Sequence, residues 1–220
     1  FRISLKSQPR FSVFMSLSVT GGECRISQPS VWLSASNWSS GILITVTAND
    51  DLVADGSKTC TVVIGPSSSD DEDYWGIDPP DVVVTVEDDD AAGVVVAPTY
   101  LTVSEPSGSA TFSIKLTSQP QAPVTIPLTP SNSQCSVSPG SAILHAGNWA
   151  TGVTATVRAV DDAIADGDVE CTILTGPASS TDLEYQGLDP ENVIVLDSDD
   201  DEASITVAPT TLVVSEPSGS

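Results

Sequence analysis

Three features predict an all-β chain of two tandem sandwiches: an internal repeat, an apolar period of two, and turn residues that interrupt every apolar run. Shifting the sequence by 111 positions, the distance from Cys24 to Cys135, superposes it on itself without a gap and leaves about half of the overlapping residues identical. Self-similarity of this kind marks a repeated structural unit. Phe1, Ile3, Leu5, Ser7, Gln8 and Pro9 return as Phe112, Ile114, Leu116, Ser118, Gln119 and Pro120, and Asn37-Trp38 returns as Asn148-Trp149.

The second copy is complete and shows the elements in order. Val94 to Val96 and Leu101 to Ser104 read as leading strands. Phe112, Ile114 and Leu116 then alternate with Ser113, Lys115 and Thr117, and the same alternation runs from Thr154 to Val160. A period of two puts one face of each strand inward. Turn residues stand at Pro98, Pro106 to Gly108, Pro120, Pro139-Gly140, Gly176-Pro177 and Gly187, and no stretch keeps a helical period for three turns. About seven strands in roughly 110 residues is the pattern of an immunoglobulin-like sandwich.

Composition narrows the function. Thirty acidic residues against seven basic ones give a net charge of −23, with 40% hydrophobic residues. That is enough apolar content for packed cores, and too few cations to hold a phosphate backbone, so nucleic acid is excluded as a partner. One His and seven basic residues leave little for acid–base or nucleophilic chemistry, so no enzyme is expected. No apolar run approaches the roughly 20 residues that span a bilayer, so no membrane insertion is expected. The opening Phe1-Arg2-Ile3-Ser4-Leu5 has no leader character and no initiator Met, which reads as a processed end or a window from a longer chain.

The frame of the repeat carries the main functional expectation. A natural unit runs from 92 to 201; residues 1–91 are then a first repeat without its leading strands, and 202–220 are the leading strands of a next repeat. Copy one lacks counterparts of Val94, Val96, Leu101 and Val103, while Ile205, Val207, Leu212 and Val214 are those counterparts with no body to cover. Burying four such side chains stabilises by about 6 to 12 kcal/mol at about 1.5 to 3 each, an upper estimate. A domain is stable by only about 5 to 15 kcal/mol. Copy one is therefore expected to show an open groove and an unpaired edge. The tail of one unit would fill the groove of the next, by strand donation between chains or by a continuing polypeptide. Such contacts are heterologous and propagate into a filament.

Three acidic features recur in each copy: Ser104-Glu105-Pro106 and Ser215-Glu216-Pro217 after the leading strand, paired Asp residues followed by Asp-Gly, and a closing Asp triplet. With the alternating strand from Ala110 to Leu116, this order resembles the Calx-β domain. The resemblance covers both copies and implies a Ca²⁺ site at one pole of each sandwich. By position, copy two offers Glu105, Asp161, Asp162, Asp166, Asp199, Asp200 and Asp201. Copy one offers Asp50, Asp51, Asp55, Asp88, Asp89 and Asp90, with its glutamate supplied as Glu216 of a preceding unit. The family's acid in the loop after the third strand is missing from copy two, where Ser131-Asn132-Ser133-Gln134 stands, and only Glu23 is near in copy one. Ca²⁺ takes six to eight oxygens, although acidic loops also serve solubility alone. Asp161 to Asp168 lacks the alternating acids and closing Glu of an EF-hand.

Four cysteines allow three pairings. Their recurrence in register favours Cys24 with Cys60 and Cys135 with Cys171, against the alternative of buried free thiols. With the acidity and low lysine content this points to an oxidising, extracellular or cell-surface setting. Asn37-Trp38-Ser39 is a glycosylation sequon, whereas Asn148-Trp149-Ala150 is not. Trp38 and Trp149 recur and are expected to pack on the sandwich; Trp32 and Trp75 have Ile143 and Gln186 as counterparts and mark surface peculiar to copy one. His145 is expected at the surface, and no hydrolase elbow, phosphate loop or zinc spacing is present. The expectation is a structural subunit of an extracellular filament, stalk or surface fibre whose partners are copies of itself. The alternatives are a calcium-stiffened adhesion module for carbohydrate or a surface protein, and a spacer of a larger secreted protein.

Overall fold

The computed structural model describes residues 1–216. Among them every regular element is a strand, apart from one turn of 3-10 helix at Glu72–Tyr74. The chain divides into two compact units, the first holding Phe1–Ala92 with Thr117–Gln121 and the second Gly93–Leu116 with the residues from Ala122 onward. Each is a two-layer β-sandwich stapled by one disulfide, Cys24 to Cys60 and Cys135 to Cys171. The pairing favoured by recurrence is the one formed.

Unit 1 contains β1 (Arg2–Ile3), β2 (Val13–Thr20), β3 (Cys24–Ile26), β4 (Ser30–Leu33), β5 (Ile42–Leu43), β6 (Val46–Ala48), β7 (Lys58–Ile64) and β8 (Val82–Val86). One layer is the sheet β4-β2-β7-β8; the other is in two pieces, β3-β6 and β1-β5. Alternation sends Val13, Met15 and Leu17 of β2 inward with Val31 and Leu33 of β4, and these close on Ile44 and Ile64. Phe1, Ile3, Leu5, Tyr74 and Val82 pack against that cluster but are only partly buried.

Unit 2 contains β9 (Val94–Ala97), β10 (Tyr100–Ser104), β11 (Ser109–Leu116), β12 (Val124–Pro130), β13 (Cys135–Ser138), β14 (Ser141–Leu144), β15 (Val153–Ala159), β16 (Val169–Thr175) and β17 (Val193–Ser198). Its sheets are β10-β17-β16-β12-β14 and β13-β15-β11-β9. Nine strands stand where about seven were read, partly because the leading segment changes sheets at Pro98-Thr99. Its first part, β9, pairs antiparallel with β11, while β10 pairs parallel with β17. One segment thereby seals both layers.

The same positions in the two units show what that seal does. Phe112, Ile114, Leu116, Tyr185, Val193 and Val195 are all at most 4% exposed in unit 2. Their counterparts Phe1, Ile3, Leu5, Tyr74, Val82 and Val84 are half-buried in unit 1. A groove of about 630 Å³ opens there, lined by Ile3, Leu5, Val13, Met15, Tyr74 and Ile77 among others. The tail residues Ile205, Val207, Leu212 and Val214 are 94, 69, 79 and 90% exposed and belong to no strand.

The recurring Asn-Trp pair has a local structural reason. Asn37 accepts from the Ser34 amide and donates to the Trp32 carbonyl; Asn148 does the same with His145 and Ile143. The turn ends at Gly41 or Gly152, both at positive φ. A Cβ at Gly152 would stand 2.5 Å from the Ile114 carbonyl oxygen, so glycine is required there by space as well as by conformation. Trp38 and Trp149 are half-buried and His145 is exposed, as read from the sequence.

Candidate metal centre

The acidic residues gather at the ends of strands, where inward alternation stops and the chain turns. In unit 2, Glu105 follows β10, Asp161, Asp162 and Asp166 lie between β15 and β16, and Asp199, Asp200 and Asp201 follow β17. Because β10 runs parallel to β17, their C-terminal ends lie side by side, and the Glu105 amide donates to the Ser198 carbonyl at 3.0 Å. The fold thus brings a glutamate 94 residues earlier in the chain beside Asp199.

Carboxylate oxygens of Glu105, Asp161 and Asp200 lie within 4.8 Å of one another, as do those of Glu105, Asp199 and Asp201. Glu105 belongs to both triads and is their hinge. Asp162 turns an oxygen to the Ile164 amide at 2.7 Å, and Asp166 is in neither triad. Asp199 is held by two amides, those of Gly167 at 2.7 Å and Asp201 at 2.8 Å. Gly167 stands at φ +77°, the left-handed conformation that lets this loop close on Asp199.

These contacts separate the carboxylates electrostatically. The amides of Asp201 and Gly167 hold Asp199 below the ordinary carboxylate range. Desolvation pushes Asp201 up, with Asp199 and Asp200 adding repulsion. Desolvation also raises Glu105, followed by the charges of Asp197 and Asp162.

Asp197 went unnoticed in the sequence. It is the third inward position of β17 after Val193 and Val195 and is 3% exposed; neither carboxylate oxygen has a partner within ordinary hydrogen-bond geometry, and the nearby Val160 amide offsets only part of the burial. Its counterpart in unit 1 is Val86. Burial raises it above the ordinary range. The signal was a carboxylate in phase with a buried apolar series.

Unit 1 repeats the arrangement without a glutamate. Asp50, Asp51, Asp55, Asp88, Asp89 and Asp90 line one cavity of about 430 Å³ together with Glu23. Oxygens of the Asp triplet lie within 4.8 Å of one another. Asp88 accepts from the amides of Asp55, Gly56 and Asp90, and the amides of Asp90 and Gly56 chiefly hold it low. Asp90 is raised by desolvation and by Asp88. Here a protein cation takes part: Lys58 lies 3.5 Å from Asp55, whereas unit 2 has Val169 at that position. Glu216 is exposed and in neither cluster.

Oxygen-only donors suit a hard cation such as Ca²⁺. The fit is better in unit 2, where Glu105 Oε2 and Asp201 Oδ2 are buried without a hydrogen-bond partner. A divalent ion there would offset carboxylate repulsion that in unit 1 is partly offset by Lys58.

Compared by sequence, the chain matches no family model and no curated protein. Among solved structures it is similar to CBD12 from CALX1.2, with a TM-score of 0.40 and 12% identity over 88% of this chain and 90% of that one. It is also similar to the calcium binding domain CBD12 of CALX1.1, with a TM-score of 0.32 and 13% identity over 89% and 91%. The D0-D1 domain of intimin gives a TM-score of 0.28 and 12% identity over 88% and 86%.

Among the described residues no helix is long and apolar enough to cross a membrane. Asn37, in the sequon, carries out the same turn-closing hydrogen bonds as Asn148, which is in none.

Proposed function

We propose that this chain is a structural subunit of an extracellular filament, stalk or surface fibre, built by head-to-tail linkage of β-sandwich repeats. One paired observation carries the reading. Unit 1 presents a half-buried core at β1 and β8, and residues 205–214 are an exposed copy of the segment that covers those positions in unit 2. Transferring the unit 2 register onto unit 1 sets Ile205 opposite Leu5, Val207 opposite Ile3, Leu212 opposite Val84 and Val214 opposite Val86. Each contact pairs an apolar residue with an apolar residue.

The linkage is heterologous, so every addition leaves a free groove at one end and a free tail at the other. The partner is a further repeat of this kind, in a separate copy or in the same polypeptide. Ca²⁺ at the acidic poles would stiffen each repeat, with the triads around Glu105 as the first ligands. The disulfides fit an oxidising compartment.

Negative-stain electron microscopy and sedimentation velocity of the purified chain test the reading. Association that grows with concentration, ending in fibres, is expected for the natural sequence and is lost on Leu212→Asp with Val214→Asp. Those positions are exposed, so unit 2 stays folded in the variant. A natural chain that stays monomeric at high concentration, and whose unit 1 gains no protection from an added peptide of residues 203–216, would refute it.

A further inference from the structure

Unit 1 carries an aromatic cleft on the outer face of the sheet β4-β2-β7-β8 that the linkage does not use. Phe14 of β2 and Trp32 of β4 are direct cross-strand partners with ring centroids 4.8 Å apart and planes tilted by 52°. Their neighbours Val13, Met15, Val31 and Leu33 point into the core, so alternation sends these two rings outward. Trp75, just after the 3-10 turn, joins them around a cleft of about 320 Å³ whose remaining walls are Ser12, Ser68, Ser69 and Asp70. Trp32 is 60% exposed and Trp75 66%.

The fold does not need these rings. Unit 2 builds the same strands with Thr125, Ile143 and Gln186 in place of Phe14, Trp32 and Trp75, and with Thr181 in place of Asp70. Ser68 is fixed by paired backbone hydrogen bonds with Phe14, and the equivalent Ser179 is fixed in the same way by Thr125. The backbone frame is therefore common to both units and the aromatic lining belongs to one. Clustered exposed aromatics cost solvation and are kept where something covers them.

The chemistry of the lining selects the occupant. The hydroxyls of Ser12 and Ser68 and the carboxylate of Asp70 have no hydrogen-bond partner among the described residues. No Lys or Arg lines the cleft. A purely apolar ligand would bury Asp70 and the hydroxyls unpaired, at a desolvation penalty. A phosphate, sulfate or uronate would meet Asp70 on a chain of net charge −23 with no cation to receive it. A neutral sugar ring meets both demands: its C–H faces lie on indole, and its equatorial hydroxyls donate to a carboxylate and exchange hydrogen bonds with serines. The volume is at the small end of ligand sites, room for one or two rings.

We propose that this cleft binds a neutral hexopyranose of a glycan, with Trp32 and Trp75 as stacking platforms, Phe14 propping Trp32, and Asp70 accepting from sugar hydroxyls. The site does not rest on the linkage reading, since the cleft shares no lining residue with the tail-receiving groove and opens on the opposite side of β2, where Phe14 points outward and Val13 and Met15 inward.

Isothermal titration and intrinsic tryptophan fluorescence of the whole chain test this with cellohexaose, mannohexaose and N-acetylchitohexaose as neutral probes and hexagalacturonate as the anionic one. The variant is Trp32→Ile with Trp75→Gln, the residues unit 2 carries at those positions. Saturable binding of at least one neutral probe is expected, weakened at least about tenfold in the variant and in Asp70→Thr, with circular dichroism and thermal midpoint unchanged. Silence of all three neutral probes at millimolar concentration, binding that survives the double substitution, or preference for hexagalacturonate overturns the assignment. A double variant that instead loses self-association in sedimentation would make the patch a contact between copies, and that result also overturns it.

Discussion

Ile3 and Ile114 occupy the same position of the repeat and differ in cover, so truncating each to Ala measures what the leading segment contributes. Ile114 is fully buried and lies between β15 and β9, opposite Val153 and Val96. Ile3 pairs with Ile42 of β5 on one side and is half-buried. A fully buried Ile to Ala change costs about 2–5 kcal/mol, a transfer contribution plus a cavity. With part of the side chain already wet the transfer contribution roughly halves and the space left opens to solvent, leaving about 1–2 kcal/mol at Ile3. Hydrogen exchange followed by mass spectrometry reads the two units separately. The slowest amides of β16 should lose about a hundredfold protection on Ile114→Ala, and those of β7 about tenfold on Ile3→Ala, at about 1.4 kcal/mol per decade. A peptide of residues 203–216 should then slow exchange in unit 1 and raise the cost of Ile3→Ala toward that of Ile114→Ala. Equal costs without peptide would show that Ile3 is already as well supported as Ile114, and the argument for a missing covering strand would fail.

The disulfides close loops of 36 residues, so replacing either pair by Ser should cost its unit about 4 kcal/mol in thermal or denaturant unfolding, and the other unit should be unchanged. Ca²⁺ should stabilise unit 2 by about 1.4 kcal/mol at ten times its Kd, and titration calorimetry should lose that binding on Glu105→Gln or Asp201→Asn. In chelator the pH dependence has a definite sign. Glu105, Asp197 and Asp201 are raised in the folded state, so their ionisation opposes folding, and unit 2 should gain stability as pH falls from neutrality toward about 4. Asp199 is lowered, so its contribution, present above the ordinary carboxylate range, is lost on going further down. Asp197→Val, the residue of unit 1, should stabilise unit 2 at neutral pH by about 1–3 kcal/mol and reduce the gain on mild acidification; a destabilised variant would mean that the Val160 amide outweighs the cost of burial.

The sandwiches, the disulfides and the uncovered groove were legible because each follows from a local pattern repeated at a fixed offset. Alternation placed Phe112, Ile114 and Leu116 inward, and they are buried; the missing partners of Phe1, Ile3 and Leu5 left them half-buried. Register was not legible. Nothing in the run from Tyr100 to Ser104 says that it pairs parallel with β17, and that pairing is what puts Glu105 against the Asp triplet. Nor was it legible that Asp162 and Asp166, read with the ligands, stand outside both triads, with one oxygen of Asp162 accepting from the Ile164 amide. Such a turn depends on a few backbone angles that side-chain type does not fix. The aromatic cleft needed the structure for a related reason: Phe14, Trp32 and Trp75 are far apart in sequence and meet only through the pairing of β2 with β4 and the placing of the turn at Glu72–Tyr74.

On the linkage we propose, Val86 and Asp197 bear on which edge the segment 205–214 takes. The tail resembles β10 closely enough to compete with it for β17, which would turn a linking chain into one that merely exchanges its own strands. On β17, however, Val214 would take the place of Val103, beside the buried Asp197, whose burial only the Val160 amide partly offsets. On β8 the same Val214 meets Val86, with Val84 beneath Leu212. One edge offers an apolar partner and the other a carboxylate raised by burial, and β10 already covers the second. The inward-facing residues of the two edges thus differ at one position: an apolar partner at Val86 and an unfavourable desolvated charge at Asp197. On the linkage we propose, the same logic gives the charge inside unit 2 a role. An Asp in the sealed edge would cost little, because that edge holds its own strand covalently, while Val86 in the open edge would leave full affinity for the tail of a neighbouring repeat.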